Sequence, residues 1–183
     1  NTYYAKVVGS LPDLGLAYLA SFILEHAGWL WLLIVGAAVI RSRAWIYLGA
    51  AGPKALAVGT LTAHILFYTI VAGGDHFEYR SLSHLVPLLG LALLWAVLTL
   101  APRPRTAGLI FVFTWLISSV IPWVHWSVSQ EHTKWEPVMP SYPVTPELPH
   151  ALQGYGATFD ELQQWLFAHG VGMRHQQHKL FFN

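Results

Sequence analysis

The chain has 183 residues, of which 55% are hydrophobic and 10% are charged, with 10 Lys and Arg against 9 Asp and Glu. A soluble domain carries about 25% charged residues, so this composition indicates a membrane protein. A net charge of +1 without a basic cluster along the chain leaves no electrostatic footprint for nucleic acid. The sequence contains no cysteine, which excludes disulfides, thiolate metal sites and cysteine catalysis.

The two ends carry no targeting signal. Asn1 is not preceded by a leader with a basic segment and an apolar core, and Asn183 follows no helix stop or anchor signature. We therefore expect the chain to be an internal or processed piece of a longer protein.

A short helix is predicted from Asp13 to Leu24. Asp13 can cap its first turn, and the apolar residues of the segment recur at helical spacing. Its place before the first long apolar segment suggests a helix that lies in the outer membrane interface. A continuation into the first span is an equal alternative.

Four apolar segments approach the roughly 20 residues that a bilayer requires. The first runs from Ala27 to Ile40 and needs residues 22–26 to reach that length, which places Glu25 and His26 at the interface beside two tryptophans, Trp29 and Trp31. The other three are Ala55 to Gly74, Leu85 to Ala101 and Thr106 to Val124. The predicted fold is all-α, with a four-helix transmembrane region over residues 1–126.

The charges predict the orientation. Arg41, Arg43 and Lys54 lie in one connection and Arg103 and Arg105 in another, and neither connection contains an acidic residue. Positively charged short loops stay on the cytoplasmic side, so both are predicted inside. All nine carboxylates then fall outside, together with both termini and the whole tail from residue 127 to residue 183.

The tail begins with prolines at three-residue spacing, which favours an extended, polyproline-like segment. These are Pro137, Pro140, Pro143, Pro146 and Pro149. After them, residues 158–161 read Thr-Phe-Asp-Glu, a capping box that predicts the start of a helix, and Gly170 can end it. Its apolar stripe is expected to pack on the outer ends of the spans. The members of that stripe are Leu162, Trp165, Leu166 and His169.

The connection between the second and third spans is the strongest candidate for chemistry. It reads Gly-Gly-Asp-His-Phe-Glu-Tyr-Arg at residues 73–80 and places Asp75, His76, Glu78 and Arg80 at the mouth of a helical bundle. The two glycines allow a sharp turn or a close approach to a ligand, and arginine suits bidentate phosphate binding. The alternative is an ordinary polar turn with an ion pair between Asp75 and Arg80.

Three further histidines are candidate site residues. His64 lies in the middle of the second span, where a charge is costly, so it is predicted to be neutral and hydrogen-bonded to a neighbouring helix. A packing role is favoured over a proton relay or a pigment ligand. His175 and His178 have the spacing of helical metal ligands but no matching carboxylate, and we interpret them as solvated tail residues rather than a metal site.

The first 125 residues resemble the later half of the superfamily C membrane glycosyltransferases. The resemblance rests on Asn-Thr-Tyr-Tyr-Ala-Lys at residues 1–6, Gly-Leu-Ala-Tyr-Leu at residues 15–19, and Gly-Gly-Asp at residues 73–75 with Arg80 beyond. The segments occur in the same order and the same topological places. The chain is most similar to bacterial arabinofuranosyltransferase-like and mannosyltransferase-like proteins that use polyprenyl-phosphate sugars.

This resemblance implies a protein of the bacterial inner membrane that binds a lipid-phosphate-linked sugar at the outer face. It implies that Lys6 and Arg80 meet the lipid phosphate and that Asp75 and His76 line the sugar cavity, with Glu78 beside them. No cofactor is implied. The acidic catalytic base of the family lies in a first outer loop that this chain lacks, so we expect no sugar transfer by the chain alone.

Two other functions remain open. The chain can be a non-catalytic accessory subunit of a larger membrane complex, since its tryptophan-rich surfaces and Pro-rich tail suit protein partners. A small transporter is less favoured, because the four predicted spans show no paired, interrupted repeats.

Overall fold

The structure is a computed structural model that describes residues 11–43, 52–74, 80–83, 85–132 and 142–169, without the side chains of residues 52–55, 80 and 129–132. Every regular element in these ranges is helical, which confirms the predicted all-α class. In chain order they are α1 (Pro12–Glu25), α2 (Gly28–Ser42), α3 (Gly52–Leu66) with a π-helical turn (Phe67–Val71), α4 (Arg80–Ser83), α5 (Leu85–Leu100), α6 (Pro104–His132), a 3₁₀ turn (Thr145–Glu147) and α7 (His150–Ala168).

The described helices include two that are long and apolar enough to cross a membrane. They are Ser81–Leu100 and Pro104–Val128, and the bent pair of α1 and α2 makes a third if it is counted as one span. The apolar helix Leu56–Val71, in the region of the predicted second span, is shorter. The membrane class therefore follows from two or three helices.

The predicted first span is broken. α1 ends at Glu25, and α2 leaves it at an angle of 84°. The break passes through Ala27, which adopts a left-handed conformation with φ of 45°. The segment from Phe22 to Ile40 is therefore an elbow and not one straight helix.

The start of α1 also differs from the prediction. Leu11 is the N-cap, without a side-chain cap bond, and Pro12 occupies the first turn. Asp13 therefore lies within the first turn and does not cap the helix, because Pro12 already has the φ that a first helical residue needs, and its missing N–H is one that would have no partner within the helix.

α1 packs across the end of α3. A Cβ on Gly15 would lie 1.7 Å from the carbonyl oxygen of Thr69, so no side chain fits at this crossing. The backbone N–H of Leu11 donates to the carbonyl of Ile70 at 3.1 Å. The N-terminal half of α1 is thereby held on the π-helical turn.

α2, α5 and α6 form the main bundle around Trp31. Trp31 is buried with Leu93, Val97 and Ala107, and its indole N–H donates to the Ser118 hydroxyl at 2.6 Å. Trp31 was expected at the interface beside Glu25; instead its ring fills the space between the helices, because the elbow turns α2 toward α6.

The final helix packs on α1 and begins earlier than predicted. α7 starts at His150 after the N-cap Pro149. Gln163 donates to the Ser21 hydroxyl at 2.8 Å, and Leu166 is buried in one cluster with Tyr18. The predicted packing of the tail stripe on the preceding helices is therefore seen at Leu166, whereas Gly170 lies outside the described residues.

The predicted capping box is wrong. Thr158 lies inside α7, where its hydroxyl donates to the carbonyl of Gly154. Asp160 is buried and accepts hydrogen bonds from the backbone N–H groups of Val144 and Thr145 at 2.9 and 3.0 Å. The carboxylate thus satisfies the 3₁₀ turn before the helix, a contact that spacing within the helix cannot predict.

The Pro-rich segment is extended only in part. Leu148 and Pro149 have extended backbone angles, whereas residues 145–147 form the 3₁₀ turn. Pro137 and Pro140 lie outside the described residues.

Candidate functional site

The residues predicted to bind a sugar donor fall largely outside the described ranges. Lys6, Asp75, His76 and Glu78 lie there, and Arg80 is described only as the first backbone position of α4. The predicted contact between Asp75 and Arg80 lies outside the described residues as well. The described residues do show how both ends of the 73–80 connection are held.

The two glycines that open the connection make a sharp turn against α1. Gly73 and Gly74 have φ of 66° and 94°, which side chains rarely adopt. A Cβ on Gly74 would lie 2.8 Å from the Tyr18 ring, and one on Gly73 would lie 2.7 Å from Leu11. The predicted sharp turn is confirmed. The backbone at the two glycines closely approaches Leu11 and Tyr18 of the same chain.

The other end of the connection is anchored through Ser81. A ring nitrogen of His64, Nε2, hydrogen-bonds to the Ser81 carbonyl at 2.8 Å, and the Tyr18 and Ser81 hydroxyls lie 3.2 Å apart. The predicted hydrogen bond of His64 to a neighbouring helix is therefore confirmed. The next residue, Leu82, is 2% exposed. These contacts fix the short helix that begins with Arg80 against α1.

An apolar cavity of about 290 Å³ lies inside the elbow of α1 and α2. Its wall includes Phe22 and His26 from α1 and the break, Trp31 from α2, Leu82 from α4, and Leu85 from α5. His26 is the one titratable side chain among its described lining residues. The chemistry of this wall suits a hydrocarbon chain, and the wall includes the residue two positions beyond Arg80.

A buried acid–imidazole pair closes the other side of the elbow. Glu25, the last residue of α1, is 6% exposed, and its Oε1 accepts a hydrogen bond from Nδ1 of His125 on α6 at 3.0 Å. Its second oxygen, Oε2, is buried and has no hydrogen-bond partner among the described residues. The His125 ring also meets the edge of Phe159 on α7. The pair joins three helices at one point.

The sequence predicted Glu25 at the membrane interface and identified no hydrogen-bond partner for it. The available signal was an acidic residue beside an otherwise uncharged apolar run, since ionisable groups near membrane depth usually face a partner. His125, 100 residues away, could not be identified as that partner from the sequence.

Tyr155 ties the final helix to the break. Its hydroxyl donates to the carbonyl of Leu24 and accepts from the indole N–H of Trp29 at 3.2 Å. Burial raises the pKa of Tyr155 above its ordinary value, and the hydrogen bond from Trp29 opposes that shift. α7 thus connects the last turn of α1 with the first turn of α2.

The described residues hold no group of three or more His, Asp or Glu side chains that could bind a metal ion. His175 and His178 lie outside the described residues.

No protein-family model, curated protein or solved structure matches this chain.

Proposed function

We propose that the chain is part of an integral membrane glycosyltransferase that takes its sugar from a polyprenyl-phosphate donor at the outer face of the bacterial inner membrane. One observation carries the proposal. The apolar cavity of about 290 Å³ is lined by Leu82 and Leu85, two and five residues after Arg80 in the sequence. A lipid phosphate needs a cation beside a hydrocarbon site, and in the sequence Arg80 comes two residues before Leu82.

The anchored connection supports the same proposal. The Gly73–Gly74 turn and the contacts of Ser81 hold the two ends of the segment that contains Asp75, His76 and Glu78. A positioned binding site needs flanking elements that are held in place, and these contacts provide them on both sides. In this proposal Arg80 and Lys6 bind the phosphate, and Asp75 and His76 face the sugar.

The proposed topology has four spans with both termini outside. In this proposal α1 lies along the outer interface, and the angle of 84° between α1 and α2 supports a change of direction at the elbow. The tail helix α7 packs on α1 and belongs to the same outer layer in this proposal.

Transfer to an alcohol needs a carboxylate close to the acceptor hydroxyl, within about 2.6–3.2 Å in the productive complex. Among the described carboxylates, Glu25 and Asp160 are buried and engaged by His125 and by Val144 and Thr145. The other three, Asp13, Glu147 and Glu161, are exposed, and the proposal gives none of them the role of catalytic base. Asp75 and Glu78 are assigned to the donor side. We therefore propose that the chain binds the donor but does not complete the reaction by itself.

The test is a binding measurement on the purified chain in lipid nanodiscs, with polyprenyl phosphate and the uncharged polyprenol as probes. Leu89→Trp, which fills the cavity, should weaken binding of both probes. Leu91→Trp is the matched control, since Leu91 is 64% exposed and does not line the cavity. Arg80→Gln should weaken binding of the phosphate alone. Unchanged binding in Leu89→Trp would remove the basis of the proposal.

A transfer assay complements the binding test. The chain is incubated with radiolabelled polyprenyl-phosphate sugars and a mixed glycan acceptor. Donor binding without turnover is the expected result. Turnover that Asp75→Asn abolishes would show a complete site in this chain and refute the claim of an incomplete one.

The second candidate is a non-catalytic accessory subunit of a membrane complex. It is favoured by the exposure of α3, since residues 56–60 are all exposed in the described structure, with Leu56 at 72%. A Cβ on Gly59 would meet nothing within 4 Å. This exposed apolar stretch of α3 is suited to packing against a helix of a partner protein. Co-purification of a stoichiometric partner that Gly59→Trp releases, without any binding of polyprenyl phosphate, would favour this candidate.

A further inference from the structure

Four arginines lie at the same end of the bundle, although they come from two separate connections in the sequence. Arg41 and Arg43 lie at the end of α2, and Arg103 and Arg105 lie where α5 joins α6; all four are exposed. The sequence shows no single run of basic residues. The four arginines come to one end of the bundle only because the helices pack side by side.

The helix contacts fix this common end. Trp31 near the start of α2 bonds to Ser118 of α6, and Ile34, further along α2, packs in one cluster with Phe111 and Ala107, which lie nearer the start of α6. The two helices therefore run in opposite directions. The end of α2 lies beside the start of α6, and the short 101–103 connection brings the end of α5 to the same level.

No carboxylate lies near these four charges along the helices that carry them. The sequence contains no Asp or Glu in residues 26–74 or in residues 79–130, and Glu131 lies at the opposite end of α6 from Arg105. Glu25 lies at the opposite end of α2 and is paired with His125. A basic surface of this kind attracts an anionic partner by charge complementarity.

The surface beside the arginines identifies the chemistry of that partner. Ile40 precedes Arg41 and is 74% exposed, Leu109 lies one turn beyond Arg105 and is 73% exposed, and Leu98 is 53% exposed. Apolar and basic surfaces are thus continuous at this end. A soluble anion would use only the arginines, whereas a phospholipid would use both.

We propose that this end of the bundle binds an anionic phospholipid, with the phosphates on the arginines and the acyl chains along the neighbouring apolar residues. The arginines come from two separate connections, and arginine binds phosphate through two parallel hydrogen bonds. A lipid with two phosphates, of the cardiolipin type, can engage both connections at once. Such a lipid is therefore the preferred occupant, and it would fasten α2 to the junction of α5 and α6.

The test is native mass spectrometry of the purified chain in detergent with equal amounts of phosphatidylcholine, phosphatidylglycerol and cardiolipin. Cardiolipin should be retained most and phosphatidylcholine least. Arg41→Gln combined with Arg103→Gln should lower the affinity for cardiolipin about tenfold or more, and added salt should weaken it in the parent chain. Arg174→Gln, outside the described residues, removes one positive charge and should leave binding intact, whereas Arg41→Gln alone, with the same change of charge, should weaken it.

Two further variants separate a lipid from a simple anion. Ile40→Ser combined with Leu109→Ser should weaken the binding of cardiolipin and leave the binding of pyrophosphate unchanged. Equal retention of phosphatidylcholine, or the same loss in Arg174→Gln as in the double arginine variant, would overturn the proposal. Pyrophosphate that displaces cardiolipin at equal concentration would show an unspecific anion surface and overturn it as well. The expected result does not depend on donor binding, so it stands or falls separately from the glycosyltransferase proposal.

Discussion

Glu25 and His125 are 100 residues apart in the sequence and share a hydrogen bond of 3.0 Å in the interior of the protein. The bond joins the last residue of α1, at the elbow, to the C-terminal half of α6. The removal of His125 takes away the hydrogen bond that Glu25 Oε1 accepts in its buried position, whereas the removal of both side chains eliminates the buried carboxyl group as well.

This pair gives the first prediction. His125→Phe should destabilise the protein by about 1–3 kcal/mol, since it removes the hydrogen-bond donor of the buried Glu25 side chain. The double variant Glu25→Leu with His125→Phe should recover a large part of that loss. Thermal unfolding in detergent measures both. His150→Phe, at the exposed start of α7, is the control. If the loss of stability in the double variant equals the sum of the losses in Glu25→Leu and His125→Phe, the two side chains are not coupled.

The raised pKa of Tyr155 predicts that the folded protein loses stability at alkaline pH. Its pKa is raised in the folded protein, so folding favours the protonated phenol. This stabilisation is complete below the unfolded pKa of about 10 and is lost as the pH rises through the folded value. The unfolding temperature should therefore fall above pH about 10.

Tyr155→Phe tests this assignment. It should cost about 1 kcal/mol at neutral pH through the lost hydrogen bonds to Leu24 and from Trp29. The alkaline loss should then be smaller in the variant than in the parent chain. Identical alkaline profiles would assign the effect to other groups.

Gly74 should not tolerate a side chain. Gly74→Ala places a Cβ 2.8 Å from the Tyr18 ring in a backbone conformation with φ of 94°, at a cost of about 1–2 kcal/mol or more. Gly36→Ala is the matched control, because a Cβ there meets nothing within 4 Å and lies inside a helix. Thermal unfolding should separate the two variants. If the proposed donor site is correct, binding of polyprenyl phosphate should weaken in Gly74→Ala alone.

The orientation is open to a labelling experiment. In sealed cells, an impermeant thiol reagent should label Ser141→Cys and leave Ser42→Cys unlabelled, because the arginine end of the bundle is predicted to face the cytoplasm. Both should react once the membrane is permeabilised, which controls for access to the thiol. Reaction of Ser42→Cys in intact cells would reverse the topology.

Much of the fold was predictable because its signals are local. Composition and apolar runs predicted an all-helical membrane protein, and a helix was expected near residues 13–24 and another in the tail. The hydrogen bond of His64 to a neighbouring helix also followed from the sequence, since an imidazole within an apolar run needs a partner. The candidate donor residues were proposed from the sequence, and the structure adds how Gly73, Gly74 and Ser81 hold the connection around them.

Local sequence patterns predict an all-helical chain with apolar segments and show how the charges are distributed along it. Where the helices break, and which distant residues come together, depends on how the helices pack. The elbow depends on one alanine, Ala27, in a left-handed conformation that no residue preference announces. The bond of Glu25 to His125, the use of Asp160 by the turn before its own helix, and the meeting of the arginines all require packing between segments far apart. Periodicity reports the face of one helix, whereas these contacts depend on the angles and directions at which several helices pack.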